Sequence, residues 1–234
     1  MGKKSIKGII FNKRERILFS LICGFLISLI FSVYSTYKYS EKIQKNIADN
    51  IVRFHVLANS NNIEDIELKY KVRDSLIKYT NNIARNCKDR DEFISIINKN
   101  INNIKENVDD TLMKNGSNYE TNIYFSNDIF PYKKYNNISF PAGEYLGLRV
   151  EIGEAKGDNW WCVMFPSICF TDETISNIDL INNKNIENVI GKEEYDIISY
   201  SSSNNIVPKI KFKIVELWQE FKYKDIEYIT NDDK

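Results

Sequence analysis

An uncharged run near the N-terminus limits what this chain can fold into. Residues 17–34, ILFSLICGFLISLIFSVY, contain no charged side chain. As an α-helix with a rise of about 1.5 Å per residue, they would reach about 27 Å, close to the roughly 30 Å hydrocarbon core of a bilayer. The run therefore predicts a transmembrane anchor or signal helix over 17–35.

Basic residues crowd the segment that precedes this run. Residues 1–16 carry six Lys and Arg against one Glu, a local charge of +5. Because basic flanks stay on the cytoplasmic side, we predict a cytoplasmic head at 1–16 and a body that crosses the membrane. Val33 and Ser35 form a small-residue cleavage pattern, so the helix is either a retained anchor or a cleaved signal.

The rest of the chain is an acidic body with enough apolar residues for a packed core. The 234 residues have zero net charge overall, so those after residue 16 sum to −5, and 43% of the chain is hydrophobic. Without a basic stripe, nucleic acid is not expected as a partner. We expect a polar linker at 36–50, in which Ile43 and Ile47 could extend a short helix, and one extracytoplasmic domain at 51–234.

The body begins with a strand and a helix. Residues 51–58 alternate, with Arg53, His55 and Leu57 on one face. A turn starts at Asn59, and helix is predicted from 63 to 80, with Asn61 and Glu64 as a capping pair. Its apolar stripe is expected to pack on a sheet: Leu68, Val72, Ser75, Leu76 and Tyr79. Its lysines are expected to face water: Lys69, Lys71 and Lys78.

A second helix and further strands follow. The helix is predicted from about Asp89, and its buried stripe contains Phe93, Ile97, Ile101, Ile104, Val108 and Leu112. Asn115 and Gly116 are a plausible C-terminal cap. Alternation over 119–125 predicts the next strand, and Ile138 with Phe140 leads into a further extended stretch. The grouping of helices and strands predicts an α+β fold with a mostly antiparallel sheet and two main helices.

The stretch from Ser139 to Phe170 is the densest in aromatic residues, glycine and cysteine. Side chains alternate over 145–152, and residues 160–165 form a second apolar run. Gly153 and Gly157 bracket the polar segment between them, which is typical of a turn. We predict a β-hairpin with a glycine-hinged loop.

The C-terminal third is less patterned. A helix is expected at 172–181 within the polar region 171–205. A strand at 209–214, where lysine and apolar residues alternate, is then expected to precede a short helix at 216–222. The alternative is a single terminal helix that packs on the sheet through four apolar residues: Phe212, Val215, Trp218 and Phe221.

Two long stretches resemble the stage II sporulation protein R family: RFHVLANSNNIEDIELKYKVRDSL at 53–76 and PAGEYLGLRVEIGEAKGDNWWCVMFPSICF at 141–170. The resemblance covers about residues 51–170. It implies a signalling protein that is made in the forespore and exported into the space between two membranes. There it would switch on a membrane protease that matures an inactive sigma-factor precursor in the mother cell.

The residues themselves contain no motif for catalysis or cofactor binding. His55 is the single histidine, which excludes a multi-histidine zinc site. A phosphate-binding glycine loop, a dinucleotide fingerprint and a nucleophile elbow are also missing. We therefore expect no catalytic residue, metal or cofactor. The rival class is an exported cell-wall hydrolase or peptidase that uses paired carboxylates such as Glu144 and Glu151.

The candidate residues for contact with a protein partner are Trp160, Trp161, Glu144, Arg149, His55 and Asn59. In a strand, the two tryptophans point to opposite faces, so one is expected in the core and the other at an interface. Two of the other residues also have ordinary structural explanations. His55 could hold the strand end through hydrogen bonds, and Arg149 could pair with Glu151 on the same face.

Cys162 and Cys169 are a candidate disulfide pair. If the chain turns at Pro166, their Cα atoms could approach the roughly 5.5 Å that a disulfide needs. In an extended chain they would lie about 23 Å apart. Buried free thiols are the alternative, and the unpaired Cys87 argues against a complete disulfide framework.

Overall fold

The computed structural model describes residues 12–135, 138–169, 186–199 and 206–223. The chain divides into two compact units, Met1–Tyr39 and Ser40–Lys234. Helix α1 (Lys13–Ala48) is apolar and long enough to cross a membrane, judged by length and composition, and its most apolar window is fully unburied. The stretch for which a linker was predicted continues this helix to Ala48, and Ile43 and Ile47 are buried in the second unit.

The second unit contains six described strands: β1 (Val52–Leu57), β2 (Thr121–Phe130), β3 (Lys133–Tyr135), β4 (Ile138–Phe140), β5 (Gly143–Ile152) and β6 (Asn159–Phe165). Its further helices are α2 (Ile63–Ile83), α3 (Arg90–Lys99), α4 (Ile101–Lys114), α5 (Lys192–Ile198) and α6 (Ile206–Tyr223). Residues 186–190 are also helical. The helix predicted at 172–181 lies outside the described residues.

Strand β1 lies inside a four-stranded sheet of order β2-β5-β1-β6. It runs parallel to β5 and antiparallel to β6, while β2 is antiparallel to β5. Strands β3 and β4 form a separate antiparallel pair. The predicted α+β class with a mostly antiparallel sheet is confirmed.

The predicted hairpin of β5 and β6 is wrong, because β1 lies between these two strands. All six residues of β1 are buried, and its central position pairs both of its edges with neighbouring strands. The loop from β5 to β6 therefore crosses the end of β1, where Gly157 N donates to Ala58 O at 2.9 Å and Lys156 N donates to Asn59 O at 3.2 Å. A side chain at Gly157 would collide with the Ser60 carbonyl.

Helices α2, α3 and α4 provide the hydrophobic core on one face of the sheet. Their buried residues pack with sheet residues such as Phe54, Val56 and Leu148. The predicted stripes are largely confirmed, since the following stripe residues are buried: Leu68, Val72, Leu76, Phe93, Ile97, Ile104, Val108 and Leu112.

Three details of these helices differ from the prediction. The second helix is two helices, interrupted at Asn100, whose Nδ2 donates to the Ile96 carbonyl at 2.8 Å and so competes with regular helix bonding. Lys69 is fully buried instead of facing water, because its Nζ donates to Asp158 O at 3.0 Å. Asn61 does not cap α2, since its Oδ1 accepts from Asp158 N in the β5–β6 loop.

The predicted C-terminal strand is also wrong, because residues 206–223 form the single helix α6. Its buried residues Phe212, Val215 and Gln219 recur at spacings of three and four, which place them on one helical face. That face contacts the end of α1, where Ser40 Oγ donates to Val215 O at 3.4 Å. The alternating lysines of 209–214 fit a strand equally well in sequence, but Ile210 is 55% exposed.

Two substitutions separate a helix from a strand in this segment. Phe212→Ala should lower the free energy of unfolding by about 3–5 kcal/mol, because it opens a cavity in the core. Ile210→Ala should change it by less than about 0.5 kcal/mol, because that side chain is largely exposed in α6. Denaturant unfolding measures both, and similar losses for the two variants would indicate that both residues lie on one buried strand face.

Candidate functional site

The register of the sheet places one row of polar and aromatic residues across four strands. Tyr124 lies opposite Arg149, Arg149 opposite His55, and His55 opposite Trp161. This row is on the face of the sheet that does not carry the α2–α4 core. We call its residues and their polar neighbours the polar row: His55, Tyr124, Asp128, Arg149, Glu151, Asn159 and Trp161.

His55 is at the centre of the polar row and is 1% exposed. Its ring stacks on Trp161, with centroids 3.7 Å apart and planes 17° apart. Its Nε2 shares a 2.7 Å hydrogen bond with Asn159 Oδ1. Its Nδ1 faces Arg149 at 3.5 Å. Burial lowers the pKa of His55 below 6.5, although hydrogen bonding with Asp128 and Asn159 opposes the shift. The imidazole is therefore neutral at pH 7.

Arg149 joins the two carboxylates of the polar row. Its Nε lies 2.8 Å from Glu151 Oε1, and its Nη1 lies 3.5 Å from Asp128 Oδ2. Hydrogen bonding with His55, and also with Ser126, lowers the pKa of Asp128 to about 2 against the opposing effect of burial. Burial would raise the pKa of Glu151, but hydrogen bonds from Arg149 and Tyr124 outweigh it and lower that pKa. Both carboxylates are thus ionised at neutral pH.

This chemistry suits a binding or structural network better than acid–base catalysis. A glycosidase needs one carboxylic acid with a raised pKa, whereas the pKa values of Asp128 and Glu151 are both lowered. Ser126 Oγ donates to Asp128 at 2.7 Å and not to His55, so a Ser–His pair is not formed there. Within the described parts of the chain, no group of three or more His, Cys, Asp or Glu could hold a metal ion.

Trp160 lies on the opposite face of the sheet from Trp161, as predicted for consecutive strand residues. Trp161 is 2% exposed, whereas Trp160 is half-buried. Trp160 meets Phe54 edge-on at 5.6 Å, and the Arg73 guanidinium lies 5.0 Å from its ring centroid. Arg73 also lies 4.7 Å from the Tyr70 ring. We call this surface group the Tyr70–Arg73–Trp160 stack.

The other candidate residues lie apart from the polar row. Asn59 ties the turn after β1 to the β5–β6 loop, because its Nδ2 donates to Asp65 at 2.8 Å and its Oδ1 accepts from Glu154 N at 2.9 Å. Glu144 is exposed at the start of β5. The structure therefore brings together His55, Arg149 and Trp161, and leaves Trp160, Asn59 and Glu144 elsewhere.

Sequence reasoning missed Tyr124, Asp128 and Asn159. Strand β2 was predicted to end at residue 125, but it continues to Phe130 and places Asp128 beside Arg149. The signal was present in the sequence: Tyr124, Ser126 and Asp128 continue a period of two on one face. What the sequence did not show is that β2 pairs with β5.

Cys162 and Cys169 form a disulfide, with Cα atoms 5.9 Å apart. The chain turns back after the cis Phe165–Pro166 bond. This is the turn at Pro166 that the disulfide alternative required. Cys87 is a free, half-buried cysteine. Burial raises the pKa of its thiol, and the neighbouring Glu92 and Asp89 add to the shift.

Comparisons with known proteins found matches to the part of the chain that contains this site. The sequence model of the family described as stage II sporulation protein R matches residues 48–175. Stage II sporulation protein R of Bacillus subtilis (strain 168) is 34% identical over 155 residues, which cover 66% of this chain and 68% of that relative. No solved structure matches the chain. The family match includes all six strands and helices α2–α4, and ends before α6.

The pKa of His55 predicts how stability depends on pH. Below pH 6.5 the unfolded chain binds a proton at His55 that the folded chain binds less readily, so the free energy of unfolding should fall as pH decreases from 7 to 5. Denaturant unfolding across this range should show the fall in the parent and a flatter profile in His55→Gln. Ile63→Ala, at an exposed position, is the control and should keep the parental slope. An unchanged slope in His55→Gln would show that His55 does not carry the effect.

Proposed function

Because this chain belongs to the stage II sporulation protein R family, we propose that it is an exported signalling protein. In this proposal it acts from the space between the forespore and mother-cell membranes. Its partner is a membrane-embedded protease, which it stimulates to process an inactive mother-cell sigma-factor precursor. The protein is the activator and not the enzyme.

Two features of the chain support an extracytoplasmic site of action. The basic head precedes an apolar helix that is long enough to span a membrane, and this order directs the body away from the cytoplasm. The body holds a disulfide, which forms and persists outside the reducing cytoplasm. The helix serves as an anchor or a signal, and either leaves the body on the far side.

Activation by contact is best supported by the place where the two stretches that resemble the family, 53–76 and 141–170, meet in the structure. Arg73 belongs to the first stretch and Trp160 to the second, yet their side chains stack at the surface at 5.0 Å. Arg, Trp and Tyr are the residue types most enriched at the energetic centres of protein interfaces. We propose that the protease contacts the Tyr70–Arg73–Trp160 stack. The polar row, on the other face of the sheet, would hold β1, β5 and β6 in position.

The rival function, an exported cell-wall hydrolase, has less support from the site. It needs a protonated carboxylic acid beside an ionised carboxylate, and the polar row offers two ionised groups already paired with Arg149. Turnover of a peptide or glycan by the purified protein, lost in a folded His55→Gln variant, would move the assignment to this class.

The two adjacent tryptophans should have separable roles. Trp161→Ala should lower the free energy of unfolding by about 3–5 kcal/mol, because it removes a buried ring stacked on His55. Trp160→Ala should fold but activate the protease less, because it removes the half-buried ring beside which Arg73 lies at the surface. Met113→Ala, at an exposed apolar position on α4, is the matched control and should leave both properties unchanged. Measurements of thermal unfolding and of sigma-precursor processing distinguish these outcomes, and full processing by folded Trp160→Ala would rule out the stack as the contact.

Export should be required for signalling. A chain that begins at Ser40, the start of the second compact unit, should fold in the producing compartment but fail to trigger processing of the precursor. An unrelated cleavable signal placed before Ser40 should restore processing, because the signal acts from the far side of the membrane. The measurement is an immunoblot of precursor and mature sigma factor in sporulating cells that lack the native protein. Full processing by the unexported chain would refute the proposal.

A further inference from the structure

Helix α6 has a second apolar face that points away from the core. Its buried face is formed by Phe212, Val215 and Gln219. On the other side, Leu217 is 61% exposed and Phe221 is 75% exposed, with the half-buried Trp218 beside them. The Trp218 and Phe221 rings meet edge-on at 6.4 Å. We call these three residues the α6 apolar face.

The second unit holds α6 against its own first residues. Gln219 Nε2 donates to Ser40 Oγ at 3.2 Å, and Lys222 Nζ lies 2.9 Å from Glu41 Oε2. In sequence, Gln219 lies between Trp218 and Phe221, and Lys222 follows Phe221. The α6 apolar face is therefore fixed close to Ser40 and Glu41, the point at which the body begins.

That point is also close to the end of the predicted membrane span. The uncharged run ends at Tyr34, and only five residues separate it from Ser40. Even a fully extended chain covers no more than about 20 Å over that distance. Tyr34, Tyr37 and Tyr39 occupy this short stretch, and tyrosines at the end of a span are typical of the membrane–water interface.

We propose that α6 is an interfacial helix that lies on the same bilayer that the N-terminal helix spans. Leu217, Trp218 and Phe221 would enter the headgroup region of the extracytoplasmic leaflet. Apolar and aromatic residues on one side of a helix are what such binding requires, and the chain between Tyr34 and Ser40 is too short to hold the body far from the lipid. The α6 contact would orient the body on the membrane from which it signals. This inference rests on insertion of the N-terminal helix and is independent of the protease partner.

The test uses the full chain reconstituted in vesicles of phosphatidylcholine and phosphatidylglycerol, with and without lipids brominated near the headgroup end of the acyl chains. Brominated lipid quenches tryptophan fluorescence only at short range. Because interfacial tryptophans lie at headgroup level, the parent should be quenched roughly twofold more than Trp218→Phe, which retains only Trp160 and Trp161. Equal quenching of the two proteins would overturn the proposal.

A pair of charge substitutions gives the second measurement. Leu217→Glu combined with Phe221→Glu keeps Trp218 as the reporter and should lose most of the lipid-dependent quenching, because carboxylates resist entry into the interface. Ile63→Glu, at a position that is 76% exposed on α2, is the matched control and should keep it. Circular dichroism confirms that each variant is folded. Parental quenching in the double variant would refute insertion of the α6 apolar face.

A second copy of the chain is the other occupant that could cover this face. Cross-linking in the same vesicles, at low protein density, distinguishes contact with lipid from contact with a second copy. A dimer that disappears in the Leu217→Glu, Phe221→Glu variant, together with a parent that brominated lipid does not quench, would assign the face to self-association and overturn the membrane contact. None of these measurements involves sigma-factor processing, so failure here leaves the proposed signalling function untouched.

Discussion

The position of β1 between β5 and β6 is the constraint on which the rest of the second unit depends. A strand that is buried on both faces must find partners for whatever polar groups it carries, and β1 carries Arg53 and His55. The Arg53 guanidinium lies 4.7 Å from the Phe130 ring, 5.2 Å from Tyr145 and 5.7 Å from Phe140. Among the described residues, none of its three side-chain nitrogens has a hydrogen-bond partner. Cation–π attraction thus replaces the hydrogen bonds that a buried guanidinium normally needs.

This arrangement explains why the second face of the sheet carries polar side chains among its aromatic rings, while the first is apolar. Phe130 can reach Arg53 only because Gly147, the neighbour of Arg53 on β5, lacks a side chain; a Cβ there would lie 2.7 Å from the Phe130 ring. Two residues further along the strands, on the same face, His55 meets Arg149 and Trp161. The cage around Arg53 and the polar row are therefore consecutive levels of one sheet face, and a slip in register would disrupt both.

The sequence predicted well which face of each element is buried, but poorly which elements lie next to each other. A period of two identified the inward positions of β1 and β5, and spacings of three and four identified those of α2 and α4, because these periods follow from local backbone geometry. Periodicity contains no information about which strands pair. Hence β1 was not predicted to lie between β5 and β6, and Asp128 was not predicted beside Arg149. Lys69 was placed in water because nothing local to α2 reveals the Asp158 carbonyl that it reaches.

Two adjacent residues of β6, Trp160 and Trp161, have different surroundings. Strand β6 is at an edge of the sheet, where free backbone groups invite further strand pairing. Tyr135 Oη donates to the Trp161 carbonyl at 3.1 Å, and the disulfide from Cys162 folds the following segment back on the strand. These contacts cover part of the backbone edge of β6. Trp161 faces inward and fixes the strand against His55, which holds Trp160 in place at the surface beside Arg73. A partner that contacts Trp160 therefore meets a side chain whose position is set by the buried row behind it.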